Sequence, residues 1–290
     1  MAQTRELRRR IKSVQSTRKI TKTMELVATS KLKRAQDRVI AARPYAAALA
    51  EVIGDLYAPE LAERFPLLRQ PGQSGAHRRV ALVVITANRG LCGAFNANLI
   101  REARHRIEQL EAEGVGIDLH LIGKKGVSYF RFAKRPAASQ RTDIGDKPKA
   151  EHAAEIVGPL MAQFASGALD AVEVVFAQFK SAVSTPPTTL RVLPISPPPS
   201  GGSAANYILK PSAEAIIEQL LPLYVRNQLY RALVETAAAF LGAQRTAMKN
   251  ATDNAGDIIE LLQRTYNRAR QAQITQELAE IVGGAEALKG

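Results

Sequence analysis

The chain has no tryptophan, a single cysteine, no proline or glycine in its first 43 residues and no proline after residue 222. Each absence excludes something. With aromatics at 5% of the sequence, a large, thick core would normally use more big rings, whereas closely packed alanine-rich helices would not. The lone Cys92 excludes an internal disulfide and a multi-cysteine zinc site. It reads as a small buried apolar residue rather than a nucleophile. No run of about 20 apolar residues occurs, so no membrane-spanning helix is predicted. The Arg-rich, Ser/Thr-containing start has the composition of an organelle transit peptide. Glu6, Glu25 and the long unbroken pattern place it instead with the mature chain.

What is present is unevenly distributed. Of the formal net charge of +13, residues 1–43 hold 13 Lys/Arg against Glu6, Glu25 and Asp37, a net of +10; the other 247 residues carry only +3. A block this basic calls for nucleic acid, anionic lipid or acidic protein loops, or else forms a solvated helix face. Charge alone does not choose among them.

All 15 prolines lie between Pro44 and Pro222. Proline costs about 3 kcal/mol in a helix interior, so both chain ends are free to form long helices. Leu32, Ala35, Val39, Ala42, Ala46, Leu49, Ile53 and Leu56 alternate spacings of three and four, a heptad seam. Ile11, Val14, Ile20, Met24 and Val27 continue it upstream, and Pro44 predicts a kink. Toward the other end Leu229, Leu233, Thr236, Phe240, Ala243, Ala247, Asn250 and Asn254 repeat the spacing. Leu261, Thr265, Ala269 and Ala272 extend it after a slip near Gly256. A helix over residues 226–282 would be roughly 85 Å long, so something must lie alongside it. The N-terminal helix is the candidate, giving an antiparallel coiled coil. Ala35, Ala42, Ala243 and Ala247 would allow close approach, and Asn250 and Asn254 would fix register.

Between the helices, residues 79–86 (RVALVVIT), 117–123 (IDLHLIG) and 172–179 (VEVVFAQF) are short apolar runs suited to a buried parallel sheet. Amphipathic segments near 96–113 and 149–165 alternate with them, and 189–193 is a further strand. This is a small α/β domain. Residues 194–203 (PISPPPSGGS) read as a flexible loop leading into the last helix. The predicted division is 1–57 for the N-terminal coiled-coil helix, 78–195 for the α/β domain and 212–286 for the C-terminal coiled-coil helix.

No catalytic constellation emerges. Residues 86–96 (TANRGLCGAFN) stand where α/β folds place phosphate loops, but they lack a Gly-Lys-Ser/Thr ending and a G-x-G-x-x-G, so a glycine turn closing a strand is the better reading. His77, His105, His120 and His152 have no metal-ligand spacing, and no G-x-S-x-G supports a nucleophile. Catalytic, cofactor and metal residues are therefore all read as none. The rivals to a mechanical role are a basic coiled coil on nucleic acid and a nucleotide-binding enzyme using the α/β domain.

Residues 11–38 (IKSVQSTRKITKTMELVATSKLKRAQDR) closely resemble the N-terminal helix of the gamma subunits of bacterial F-type ATP synthases. Residues 247–254 (AMKNATDN) and 266–284 (YNRARQAQITQELAEIVGG) resemble the C-terminal helix, with ITQELAEIVGGA as the signature region. Residues 89–96 (RGLCGAFN) and 123–130 (GKKGVSYF) are similar to the central domain. The resemblance runs along nearly the whole chain.

It implies an α/β fold with long terminal helices, an antiparallel coiled coil beside a small Rossmann-like domain. It implies a non-catalytic rotor shaft of a proton-translocating synthase, with both chain ends inside the ring of alpha and beta subunits. The foot would meet the epsilon subunit and the membrane rotor c-ring on the cytoplasmic side of the cell membrane. Neither nucleic acid nor direct membrane insertion is expected. One charge crossing 100 mV supplies about 2.3 kcal/mol, so several steps must be pooled through a continuous element. By the resemblance, Arg245, Gln271 and Thr275 face beta-subunit loops. Met24 does so beside the basic run that includes Lys31, Lys33 and Arg34, and Tyr207 (in NYILKP) faces the rotor ring. Pro222 departs from the family pattern and puts the continuity of 212–224 in doubt. The cysteine-bearing insertion of the chloroplast type is missing, so thiol regulation is not expected.

Overall fold

The computed structural model describes residues 2–56, 64–70, 79–195 and 212–287. The elements in chain order are α1 (Ala2–Leu56), a 3-10 turn (Pro66–Leu68), β1 (Arg79–Ile85), α2 (Phe95–Ala112), β2 (Gly116–Ile122), α3 (Lys124–Phe132), β3 (Ser139–Arg141), α4 (Ala150–Ala165), β4 (Ala171–Ala177), β5 (Pro187–Leu193) and α5 (Ala213–Ala287). They form two compact units: one from Met1–Ala28 with Arg245–Gly290, the other from Thr29–Gln244.

The larger unit is organised by a five-stranded sheet in the order β3-β2-β1-β4-β5. The first four strands are parallel, and β5 runs antiparallel to β4. Six of the seven residues of β1 and all seven of β4 are buried, as a sheet covered on both faces requires. Alternation along β1 sorts its side chains. Ala81, Val83 and Ile85 join a core with Val157, Leu160 and Phe164 of α4, with Leu49 and Ile53 of α1, and with Leu221, Val225 and Leu229 of α5. Leu82 and Val84 face a second core with Leu99 and Ala103 of α2, Phe130 of α3, Leu32, Ala35 and Val39 of α1, and Ala238, Ala239 and Phe240 of α5. Ala232 and Leu233 belong to the first core and Val234 to the second. Residues 232–242 of α5 are thus buried on nearly every side, and the sequence there is apolar apart from Glu235 and Thr236.

α5 runs through Pro222 without interruption, so the doubt over 212–224 is resolved in favour of one helix. Ile217, Leu221 and Val225 bury almost completely on one face. At about 1.5–3 kcal/mol each, they outweigh a cost of about 3 kcal/mol for the proline. Pro44 lies within α1 in the same way. Of the predicted loop 194–203, residues 196–203 lie outside the described residues.

The smaller unit is an antiparallel helix pair. Thr4 Oγ1 donates to Gln273 Oε1 at 3.2 Å. Arg8 Nη2 donates to the Tyr266 hydroxyl at 2.8 Å with its guanidinium over the ring. Thr21 and Thr252 Oγ1 meet at 2.8 Å in the buried interior. The seam differs from the one predicted. Ile20 and Val27 are 58% and 49% exposed, while their neighbours Thr21 and Ala28 are 9% and 1%. Asn250, Asn254, Leu261, Thr265 and Ala272 likewise face outward, whereas Met248, Thr252, Ala255 and Ile259 are buried, with Leu262 and Tyr266 half-buried beyond them. Small residues alternate with Met248 and Ile259 inside and let the backbones approach, and the cross-helix bond is made by the paired threonines rather than by the asparagines.

This registration has a direct test in urea denaturation of the purified chain. Ala28→Leu overpacks the seam and should cost about 1–3 kcal/mol. Ile20→Ala, despite removing the larger apolar group, should change stability by less than about 0.5 kcal/mol, as exposed substitutions do.

Candidate functional site

In open α/β sheets, ligands bind outside the carboxyl ends of the strands where neighbouring connections diverge. Here that point lies beyond the carboxyl ends of β1 and β4. It is occupied by protein. The crevice is lined by Thr86, Asn88, Ile144, Asp146, Leu233, Thr236 and Phe240, among others, and only about 40 Å³ remains open. α5 closes it by bonding to the strand end: Ala177 N–H donates to Thr236 Oγ1 at 3.3 Å and Phe179 N–H to Glu235 Oε2 at 3.1 Å. Arg231 holds the Glu235 carboxylate from one turn away at 2.7 Å.

The loop after β1 turns at Gly93, φ 57°. Its polar groups bond within the protein instead of converging on an anion. Ala87 N–H donates to Asn96 Oδ1, Lys124 N–H to Asn88 Oδ1 and Gly126 N–H to Thr86 Oγ1, each at 2.9 Å. The Asn88 amide donates to the carbonyls of Thr142 and Ile144. Gly123, between β2 and α3, adopts φ 96°, and a Cβ there would fall 2.1 Å from the Thr86 carbonyl oxygen. Only glycine fits that approach.

Other reactive arrangements fail on geometry. Ser139, His120 and Asp118 lie on adjacent strands, with His120 Nδ1 2.7 Å from Ser139 Oγ. Asp118, however, is held by a two-pronged Arg79 guanidinium at 2.9 and 2.8 Å, leaving no carboxylate to orient the imidazole as a base. Burial lowers the His120 pKa. Cys92 is buried, and desolvation raises its thiol pKa, the opposite of a nucleophilic cysteine. Among the described residues, no three or more His, Cys, Asp or Glu are grouped to hold a metal ion.

Glu173 on β4 is the deepest charge in the sheet, 2% exposed. Arg106 of α2 grips it at 2.6 and 2.8 Å, and Arg191 of β5 at 3.2 and 3.3 Å. Burial alone would raise this carboxyl. Hydrogen bonding and charge from Arg106, then Arg191, reverse the effect and hold it below the usual carboxylate range. The cluster ties α2 and β5 to the central sheet.

The remaining candidates are surfaces. In the helix pair, Met24 and Arg245 are half-buried, and Gln271 and Thr275 are exposed, Thr275 Oγ1 donating to the Gln271 carbonyl at 3.0 Å. In the larger unit, Lys33 lies 3.9 Å from Asp37, and Lys31 lies 3.6 Å from Asp146, which Arg89 also contacts. Arg34 is exposed. Tyr207 lies outside the described residues. Sequence reasoning missed the exposed apolar side chains Ile20, Leu26 and Val27 on α1, and Leu278, Ile281 and Val282 near the end of α5. Once the small seam residues are recognised, these become legible as an outward face. Among the described residues, no helix is long and apolar enough to cross a membrane.

A family model described as ATP synthase matches residues 3–288. The ATP synthase gamma chain of Gemmatimonas aurantiaca is 63% identical over 293 residues, covering 100% of both chains. That of Leptospira biflexa is 43% identical over 291 residues, covering 99% of this chain and 100% of its own. Among solved structures, a chain of the Euglena gracilis mitochondrial ATP synthase OSCP/F1/c-ring assembly aligns with a TM-score of 0.70 at 18% identity, covering 99% of this chain and 95% of that one. A chain of the Tetrahymena thermophila mitochondrial central stalk and c-ring aligns at 0.59 and 24% identity, covering 80% and 99%. At these identities the structural likeness shows the fold.

Two measurements check this picture. Isothermal titration of ATP–Mg into the purified chain should give no saturable heat, because the crevice is filled; binding at micromolar affinity would overturn it. Glu173→Gln should cost about 3–5 kcal/mol at neutral pH by leaving two arginines facing an uncharged partner. Because the folded-state pKa is depressed, the parent's advantage is complete above the ordinary carboxylate range and is lost as pH falls through the lowered value. The two unfolding curves should therefore draw together only as pH falls below the ordinary carboxylate range.

Proposed function

The chain belongs to the ATP synthase gamma chain family, a non-catalytic stalk subunit of a membrane-associated complex, and on that premise we propose the following working arrangement. It is the rotor shaft, seated in a ring of alpha and beta subunits, with its sheet-containing unit as the foot on the epsilon subunit and the c-ring. It stands on the cytoplasmic side of the membrane. Proton flow turns ring and foot together, and the helix pair biases the three beta catalytic sites by contacts that differ with rotor angle.

The observation that carries this reading is similarity to a gamma chain over the complete length of both proteins at 63% identity. Three features support it physically. α1 and α5 are unbroken from Ala2 to Leu56 and from Ala213 to Ala287, so each can transmit strain without a hinge loop. Residues 232–242 of α5 are buried between two cores, which fixes that helix in the foot. The crevice beyond the strand ends is packed by α5, which ties that helix to the sheet.

On the outer faces, Met24, Lys33, Arg34, Arg245, Gln271 and Thr275 are assigned to beta-subunit loops, with the cations meeting acidic side chains. Tyr207 is assigned to the rotor ring. Lys31 belongs to the same basic run, but its ion pair with Asp146 gives it a second, internal task.

Reconstitution with alpha and beta subunits and single-molecule observation tests the reading: the gamma chain should rotate in one direction during ATP hydrolysis. A complex that hydrolyses ATP with this chain stationary would overturn it. In the same assay Lys33→Glu with Arg34→Glu should slow rotation several-fold while leaving the melting temperature of the isolated chain within about 2 °C, since both side chains are exposed.

A further inference from the structure

The most exposed large apolar side chain among the described residues is Phe132, at 87%. It ends α3 in a run, Arg131 to Pro136, in which every residue is exposed. A ring this open is unusual beside well-packed neighbours: Phe130, two residues earlier, is 1% exposed and packs edge-on against Tyr129 at 5.3 Å. The helix therefore turns one aromatic into the core and presents the other.

The tip is fixed in shape. Ala133 N–H donates to the Tyr129 carbonyl at 2.9 Å, Lys134 N–H to Arg131 at 3.1 Å and Arg135 N–H to Phe130 at 3.0 Å. Lys134 holds a left-handed φ of 54°. Arg135 grips Glu111 of α2 through both guanidinium prongs, so its charge is spent inside the chain. Arg131 and Lys134, flanking the ring, form no ion pair with any carboxylate among the described residues. Arg131 has only a 3.5 Å approach to the Gln140 amide oxygen. From residue 119 to 142 the sequence holds six Lys/Arg and no Asp or Glu.

We propose that this tip is a docking knob for another protein subunit, with Phe132 entering an apolar pocket whose rim is acidic and pairs with Arg131 and Lys134. An aromatic anchor flanked by arginine is the composition of interface hot spots. Pre-organisation by the capping bonds removes the ordering cost of binding. The acid-free surroundings select a carboxylate-bearing partner over a basic or neutral one. A lipid surface fits less well, since one short aromatic side chain gives only marginal membrane attachment. The knob goes beyond the beta-facing helix surfaces and the rotor-ring contact proposed above, using none of their residues.

The test uses the assembled, purified synthase carrying a photo-crosslinking benzophenone amino acid at position 132. Irradiation should give one protein adduct, mapping to a peptide of a partner subunit that contains Asp or Glu within a few residues of the attachment point. Arg131→Glu with Lys134→Glu should lower the yield about tenfold, the factor expected when about 1.4 kcal/mol is lost. The assembly should still hydrolyse ATP and rotate, so failure of the knob is distinguishable from failure of the shaft. Melting of the isolated Phe132→Ala chain should stay within about 2 °C of the parent, because the ring is exposed. No protein adduct, an adduct on phospholipid, or a yield indifferent to charge reversal would each overturn the proposal.

Discussion

Everything in the larger unit depends on one buried stretch, residues 232–242 of α5. Helices at a protein surface keep a polar face; this one does not. Its apolar side chains divide between the two cores that cover the sheet, and its few polar ones, Thr236 and Glu235, are consumed by amides at the end of β4. A helix held by two cores and by backbone donors resists rotation about its own axis, because turning it would withdraw side chains from both at once. That is the property a torque-bearing element needs at its anchor. The same insertion leaves only about 40 Å³ open beyond the strand ends, so anchoring of the helix and filling of that crevice are two results of one packing event.

The helix pair meets a different demand. Two long helices can lie together along their length only if the seam is shallow, and Thr21, Ala28, Thr252 and Ala255 make it so. Met248 and Ile259 still fit inside, but Ile20, Leu26 and Val27 are displaced to the outside, where they share α1 with a high density of cations. An outer face that mixes aliphatic and basic groups suits repeated contact with a partner. Apolar area gives adhesion, and charge gives orientation without burying a fixed, desolvated pair.

How much of this could be read from residue order follows from the size of each signal. The sheet's strands are continuous Val/Ile/Leu runs, and both terminal helices are long enough to announce themselves. The 3-residue β3 (Ser139–Arg141) is polar and lies at the sheet edge, so no hydrophobic pattern marks it. α3 is hidden by its two leading lysines and by Gly126. The coiled-coil seam is legible at Leu32, Ala35, Val39, Leu49 and Ile53 of α1 and at Leu229, Leu233, Thr236 and Phe240 of α5, all buried, but Ile20 and Val27 yield to Thr21 and Ala28, and Asn250 and Asn254 to Thr252 and Ala255. Asn250 and Asn254 were credited with a register role, whereas the cross-helix bond is made by Thr21 and Thr252. The anchoring of α5 was legible only in part: Leu229, Leu233, Thr236 and Phe240 were marked as a seam, but nothing in their spacing tells that they seal a sheet.

The solitary thiol has a practical meaning. Cys92 is shielded by its neighbours and its ionisation is suppressed, so alkylating reagents at neutral pH meet an unreactive background. A cysteine introduced on an outward position can then carry a fluorophore, gold bead or spin label without first removing the native one. The molecule comes ready for site-specific attachment of the probes by which turning motion is watched.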